Sequence, residues 1–378
     1  MYSAVNPEEQ QKRFIIASIL PHRVSEQDAF LDLKELKELV DAFHGEVVDY
    51  VIQNREVHDK GLYLGSGKID EIKTMVKAQE IDVVVLNAVV KPGHLFDIKQ
   101  TLEKANPQIE VWDRVDLILH IFSQHANTTE SRLQIELAAM HHMGPRIYGM
   151  GYVLSRQGGS IGTRGIGETN TELMKRHWRN QIKKVQEKLE KLSNDRMRQL
   201  ERRQRMGLKT VSLIGYTNAG KTSLFNLLTG KNQLVENALF ATLDSHVGKL
   251  YLPELNEQIV VSDTIGFIRN LPTSLIDAFR STLMESIYAD LLIHVIDCSD
   301  PDIKRKIRSV QAVLHELNLV KKPQLFVFNK SDLITKKDKE LISTQFSTHQ
   351  SVFISVKNGN GIDTLQTTIT RFFKGGDL

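Results

Sequence analysis

The chain has 378 residues, 41% of them apolar and 25% charged, with a net charge of only +3. These values exclude a low-complexity polymer and leave room for two to three packed domains of roughly 150 residues each. A single cysteine, Cys298, excludes an intrachain disulfide; the N-terminus has no apolar signal-peptide core, and no run reaches the ~18–20 apolar residues of a membrane span, so a cytoplasmic protein is expected.

Residues 1–125 read as a first α/β domain. RFIIASIL (13–20) is a short apolar run that suits a buried strand. Helical spacing follows over 27–43, through Phe30, Leu33, Leu36, Leu39, Val40 and Phe43. The β-branched stretch 45–53 is a second strand. Helices are then expected at 68–77, 95–104 and 115–125, alternating with strands at 81–88 and 109–112. Alternation at this pitch predicts a parallel sheet covered by helices. The tetrapeptide Gly65-Ser66-Gly67-Lys68 leaves a second nucleotide site, for ATP, as an open alternative to a tight turn opening a helix.

Residues 126–208 differ in character. A helix is expected at 129–142, then a glycine-dense loop at 156–168, then a long charged helix at about 169–206. The latter carries Trp178, Ile182, Val185, Leu189 and Leu192 at spacings of four and three, a heptad-like seam that needs a partner helix. An antiparallel, coiled-coil-like hairpin results. From 175 to 209 there are thirteen Lys/Arg against four acids, a local charge of +9 that leaves −6 for the rest of the chain. Such a segment attracts polyanions. Arg156 and Arg164 in the glycine loop, with Lys175, Arg176, Arg179 and Lys183 on the helix, are the candidate RNA contacts; a solvated charged helix is the plain alternative.

Residues 209–378 restart the α/β pattern. Strands are expected at 210–216, 258–263, 291–297, 324–330 and 352–355, and helices at 221–228, 273–287, 302–317 and 361–373. This describes a doubly wound, mostly parallel sheet. Gly215, Tyr216, Thr217, Asn218, Ala219, Gly220, Lys221, Thr222 and Ser223 follow a strand and open a helix, which is the setting of a phosphate-binding loop. Its N–H groups and helix N-terminus suit phosphate oxygens. Lys221 would reach the β- and γ-phosphates, and Thr222 would ligate Mg²⁺. Downstream, Asp263-Thr264-Ile265-Gly266 places an acid to hold Mg²⁺ through water and a Gly266 N–H to meet the γ-phosphate. Between the two motifs, Phe240-Ala241-Thr242 carries a threonine that can join the metal only when the γ-phosphate is present. Asn329, Lys330 and Asp332 read the base. The Asp332 carboxylate can accept from guanine N1–H and N2–H₂ together, which adenine does not offer. Ser355, Val356 and Lys357 supply a backbone donor for guanine O6. The substrate and product are therefore expected to be GTP and GDP, with Lys221, Thr242 and Gly266 closest to the chemistry.

GYTNAGKT, LFATLD, DTIGFIRNLP, AFRSTL, VIDCSDP and NKSD together resemble the HflX family of translation-factor-like GTPases. The resemblance extends to LGSGKIDEI (64–72), DRVDLIL (113–119), SRLQIELA (131–138) and the glycine loop, and so spans nearly the whole chain. It implies a GTPase that binds the 50S subunit through rRNA and splits or rescues stalled ribosomes, with no DNA partner. Nothing in the sequence demands more than a monomer. An ATP-dependent RNA-remodelling enzyme driven by the N-terminal domain is the alternative from a different class. Two departures stand out. The family usually continues FATLD with Pro-Thr; here Ser245-His246-Val247 follows. Many members carry a further C-terminal domain, whose function is not expected of a sequence that closes at Gly375-Gly376-Asp377-Leu378. Finally, Phe267 occupies the place where many small GTPases have a water-orienting glutamine, so slow intrinsic turnover, accelerated by the ribosome, is expected.

Overall fold

The computed structural model describes residues 11–157, 170–233, 239–240, 243–269, 272, 275–276, 279 and 282–376. It divides into two compact units, residues 1–124 with 132–189, and residues 125–131 with 190–378.

In the first unit, β1 (Arg13–Leu20), β2 (Glu46–Asn54), β3 (Val83–Leu86) and β4 (Glu110–Asp113) form one sheet in the order β2-β1-β3-β4. All three pairings are parallel. Strands sandwiched between helices are buried on both faces, which is why VVVL is apolar without alternation. One face packs Ile15, Ala17, Val84 and Leu86 against α2 (Ser66–Gln79) and α3 (Pro92–Leu102). Phe14, Phe43 and Trp112 meet edge to face, with ring centroids 5.3–5.8 Å apart. Between them in sequence, α1 (Glu26–Ala42) starts at Ser25, whose hydroxyl accepts from Asp28 N–H.

The helix α4 (Arg114–His125) begins with two carboxylates that bond each other's main chain. Asp116 N–H donates to Asp113 Oδ1 (2.9 Å) and Asp113 N–H to Asp116 Oδ2 (3.0 Å). His142, on α5 (Thr129–Gln157), places Nε2 3.1 Å from Asp113 and 3.4 Å from Asp116. Burial alone would lower its pKa, but the two carboxylates raise it from 6.5 to about 9. A base whose folded pKa is raised adds stability that is complete below pH 6.5 and disappears as the pH rises through about 9. At 1.36 kcal/mol per pH unit, the contribution is about 3 kcal/mol. Urea unfolding followed by tryptophan fluorescence is expected to show this loss between pH 6.5 and 9 in the native chain, and no such slope in His142→Ala.

The helix α6 (Asn170–Arg205) pairs with α5 through its seam: Val185 is buried, and Trp178 Nε1 donates to Met140 O at 3.0 Å. The sequence places the end of α5 at 142, before Gly144-Pro145. The helix instead runs on to Gln157, so the local proline penalty is overridden.

In the second unit, six strands lie in the order β10-β9-β8-β5-β7-β6. They are β5 (Thr210–Gly215), β6 (His246–Leu252), β7 (Glu257–Asp263), β8 (Leu291–Asp297), β9 (Gln324–Asn329) and β10 (Ser351–Phe353). Among the described strands of this sheet only β6 runs antiparallel, and it is the strand absent from the sequence reading. Its signal was present: in HVGKLYL, Gly248, Leu250 and Leu252 alternate with more exposed neighbours. The helices α7 (Lys221–Thr229), α8 (Met284–Tyr288), α9 (Ile303–Glu316), α10 (Lys336–Gln345) and α11 (Ile362–Phe373) complete the described fold. Of these, α10 was also missing from the sequence reading. The helix expected at 273–287 lies partly outside the described residues; 275–276 and 284–288 are helical.

Candidate nucleotide-binding site

The C-terminal ends of β5, β7 and β9 bring the three motifs to one edge of the sheet. β5 ends at Gly215, and α7 begins at Lys221 after Gly220, which has φ +91°. A β-carbon on Gly220 would strike the Asn329 amide, so the close approach of the two loops also requires glycine. Asn218 adds a second left-handed residue, φ +61°. Among the described residues, no side chain caps the N-terminus of α7, which leaves its N–H groups facing the loop, a ready anion site.

Lys221 is buried and bends back over its own loop. Its Nζ donates to Tyr216 O (2.8 Å) and Gly215 O (3.2 Å). Burial lowers its pKa from 10.5 to about 8, against the opposing pull of Asp263. Thr222 Oγ1 donates to Asp263 Oδ2 at 2.7 Å. Burial raises Asp263 to about 6, with Lys221 and Thr222 opposing. Among the described residues, the other carboxylate oxygen, Oδ1, is buried without a hydrogen-bond partner, and so is Thr217 Oγ1. A desolvated acid with a bare oxygen is costly unless a cation or donor completes it. Together with the Thr222 hydroxyl, it fits a hard, oxygen-seeking ion such as Mg²⁺.

The segment after β7 is strapped to the loop by its main chain. Thr217 N–H donates to Phe267 O (2.8 Å), and Phe267 N–H donates to Gly215 O (3.1 Å). A β-carbon on Gly266 would lie 2.6 Å from the Thr217 methyl and 3.1 Å from Lys221 Nζ, so glycine is needed for this contact. Thr264 turns its hydroxyl to Leu213 O (2.7 Å), and Ile265 is buried, so only their main chains face the loop. The Phe267 ring is buried as well. Ser223 is half-buried on the first turn of α7, and Phe240 is buried with φ +62°. Ala241 and Thr242 lie outside the described residues, as do Arg164 and the side chain of Arg156.

The residues expected to read the base form a network of their own. Asn329 Nδ2 donates to Ala219 O (2.9 Å), while its Oδ1 accepts from Val356 N–H (3.2 Å). Ser355 Oγ donates to Asp332 Oδ1 at 2.6 Å. That bond holds the exposed Asp332 carboxyl below its ordinary range and keeps it ionised. Lys330, φ +60°, pairs with Asp297 at 2.7 Å, and Lys357 is exposed. Asp297 was not singled out in the sequence, and neither was Lys306, whose Nζ sits 4.9 Å from the centre of the Tyr216 ring. Asp297 lies within VIDCSDP, but nothing in that stretch marks it as the partner of Lys330, and no local pattern marks Lys306.

The remaining expectations fall elsewhere. At Gly65, the N–H donates to Gln53 Oε1 (2.9 Å), and Lys68 pairs with Glu71 (2.7 Å), so the protein's own side chains close that turn. On α6, Arg176, Arg179 and Lys183 are exposed and Lys175 is half-buried.

Full-length relatives decide the family. GTPase HflX of Caldanaerobacter subterraneus subsp. tengcongensis is 40% identical over 96% of this chain and 80% of its own length. GTPase HflX of Escherichia coli is 35% identical over 95% and 83%. The chain belongs to the HflX GTPase family. HflX-type organisation also appears piecewise: 31–123 match the family model for a GTP-binding GTPase N-terminal region, 125–205 the middle region, and 210–330 a 50S ribosome-binding GTPase. The crystal structure of SsGBP with GDP is 26% identical, with a TM-score of 0.53 over 96% of this chain and 98% of that one. Among the described residues, no helix is long and apolar enough to cross a membrane.

Proposed function

We propose that this HflX-family chain is a Mg²⁺-dependent GTP-hydrolysing switch that docks on the 50S ribosomal subunit through rRNA, acting as a cytoplasmic monomer. The observation that carries the reading is the buried oxygen of Asp263, unpartnered among the described residues, beside Thr222 and Lys221 at the N-terminus of α7. Lys221 leaves its loop carbonyls to neutralise the β- and γ-phosphates. Thr222 and Asp263 would hold the Mg²⁺, and Thr242 would join them in the GTP state. The metal supplies positive charge that offsets the charge spreading over the phosphoryl oxygens. Gly266 N–H meets the γ-phosphate, Asp332 selects guanine, and Ser355-Val356-Lys357 lies beside O6. Support for docking comes from the 210–330 family match and from Arg176, Arg179 and Lys183 on the exposed face of α6.

The buried Phe267 ring offers no hydrogen bond to an attacking water. Turnover is therefore expected to be slow alone and to rise about 100- to 10,000-fold on adding 50S subunits, the range in which one supplied polar group acts. Phosphate release measured with and without 50S subunits tests this; fast turnover that ribosomes leave unchanged would overturn it. Binding is also expected to weaken steeply with salt.

A further inference from the structure

Besides Lys221 and Thr222, the phosphate loop carries a third side chain able to bond a phosphate. Thr217 is 5% exposed, and among the described residues its Oγ1 is buried without a hydrogen-bond partner. No other buried hydroxyl of the described residues lacks one. Thr264 Oγ1 donates to Leu213 O (2.7 Å), and the Ser212 and Ser286 hydroxyls bond each other (2.8 Å). A buried hydroxyl with no bond is costly, and valine would fill the same volume without that cost. The surroundings of Thr217 point to what the hydroxyl serves. Its N–H donates to Phe267 O at 2.8 Å, which fixes the residue against the segment after β7. A β-carbon on Gly266 would lie 2.6 Å from the Thr217 methyl and 3.1 Å from Lys221 Nζ. The Thr217 side chain, Gly266 and the Lys221 ammonium therefore converge on one small region. The methyl faces Gly266, and a turn between staggered rotamers exchanges it with the hydroxyl.

We propose that the Thr217 hydroxyl donates to a γ-phosphoryl oxygen, so that this side chain distinguishes a nucleoside triphosphate from a diphosphate. The inference rests on the GTPase reading above, in which Gly266 N–H and Lys221 meet the same phosphoryl group. It adds a side chain to what that reading assigns to the main chain of the loop. Loop N–H groups hold the inner phosphates whichever nucleotide is bound, whereas the hydroxyl bonds only the third. A phosphoryl oxygen is charged and accepts without donating, which makes it the partner that this hydroxyl lacks. Such charge-assisted bonds are about twice as strong as neutral ones. The bond holds the phosphoryl group and leaves the attacking water to other groups, so the slow turnover expected from Phe267 stands.

The test compares Thr217→Val and Thr217→Ser with the native full chain. Dissociation constants are measured for the β,γ-imido analogue of GTP and for GDP, both with Mg²⁺. Valine keeps the volume and loses the hydroxyl. It is expected to weaken the analogue about 10-fold or more, the effect of one hydrogen bond to a charged acceptor, and to move GDP less than about 2-fold. Serine keeps the hydroxyl and should hold the analogue within about 3-fold of the native affinity. Should the valine variant fail to fold, Thr217→Ala is read by the same ratio of the two constants. A role confined to packing would change both nucleotides alike. That result, unchanged or tighter analogue binding, or a serine variant as weak as valine would each overturn the proposal. Native protein that binds neither nucleotide would overturn the GTPase reading instead.

Discussion

Lys221→Met is expected to lower GTP turnover about 100- to 1,000-fold, the effect of removing one pre-placed donor from charge that develops in the transition state. The same change should not destabilise the nucleotide-free protein. Lys221 is an ammonium taken out of water, and burial has brought its pKa from 10.5 to about 8. A base whose folded pKa is lowered binds its proton less tightly when folded, so the penalty is in full force below about pH 8. It relaxes as the pH rises towards 10.5, because only the unfolded chain is then still protonated. Its size is about 3 kcal/mol at neutral pH, and methionine fills similar volume without it. Activity and stability are thus expected to move in opposite directions. Phosphate release and urea unfolding of the same variant check the two halves, and turnover within about tenfold of the native chain would remove Lys221 from the mechanism.

Asp332→Asn should weaken GTP about 100-fold or more, since two hydrogen bonds to a charged acceptor are each worth about 1.5–3 kcal/mol. Xanthosine triphosphate should gain by a similar factor, because an amide can donate to the carbonyl that replaces the guanine amino group. The loop itself should survive: the asparagine carbonyl can still accept from Ser355 Oγ, and Asn329 still bridges Ala219 and Val356. Competition between the two nucleotides for the variant is the measurement. Unchanged GTP preference would refute base recognition by Asp332.

Both predictions concern residues that were legible in the sequence, and for one reason. A phosphate loop is a contiguous stretch of backbone, so Gly215, Gly220, Lys221 and Thr222 announce its shape without help from the rest of the chain. The buried strands were legible because burial on two faces leaves runs such as LLIHVID with little choice of residue. β6 was missed although HVGKLYL alternates, since a glycine and a lysine weaken the pattern and its place is set by pairing with β7 along the edge of the sheet. The continuation of α5 past Gly144-Pro145 was hidden because a local stop signal argued against it.

The charge run shows the division best. Its +9 is plain from counting, and counting treats every arginine alike. The fold separates them. Arg176, Arg179 and Lys183 stay exposed, whereas Arg196 and Arg203 meet Glu130 and Glu285, which are 66 and 82 residues away in the chain. The same holds inside the site. Sequence alone singled out the residues proposed to hold a guanine nucleotide, because those motifs are short and carry their geometry locally. Only the tertiary structure decided that Lys221 is desolvated, that one oxygen of Asp263 has no partner among the described residues and that Arg196 pairs with Glu130. Burial and long-range partners set those properties, and neither is written in neighbouring residues.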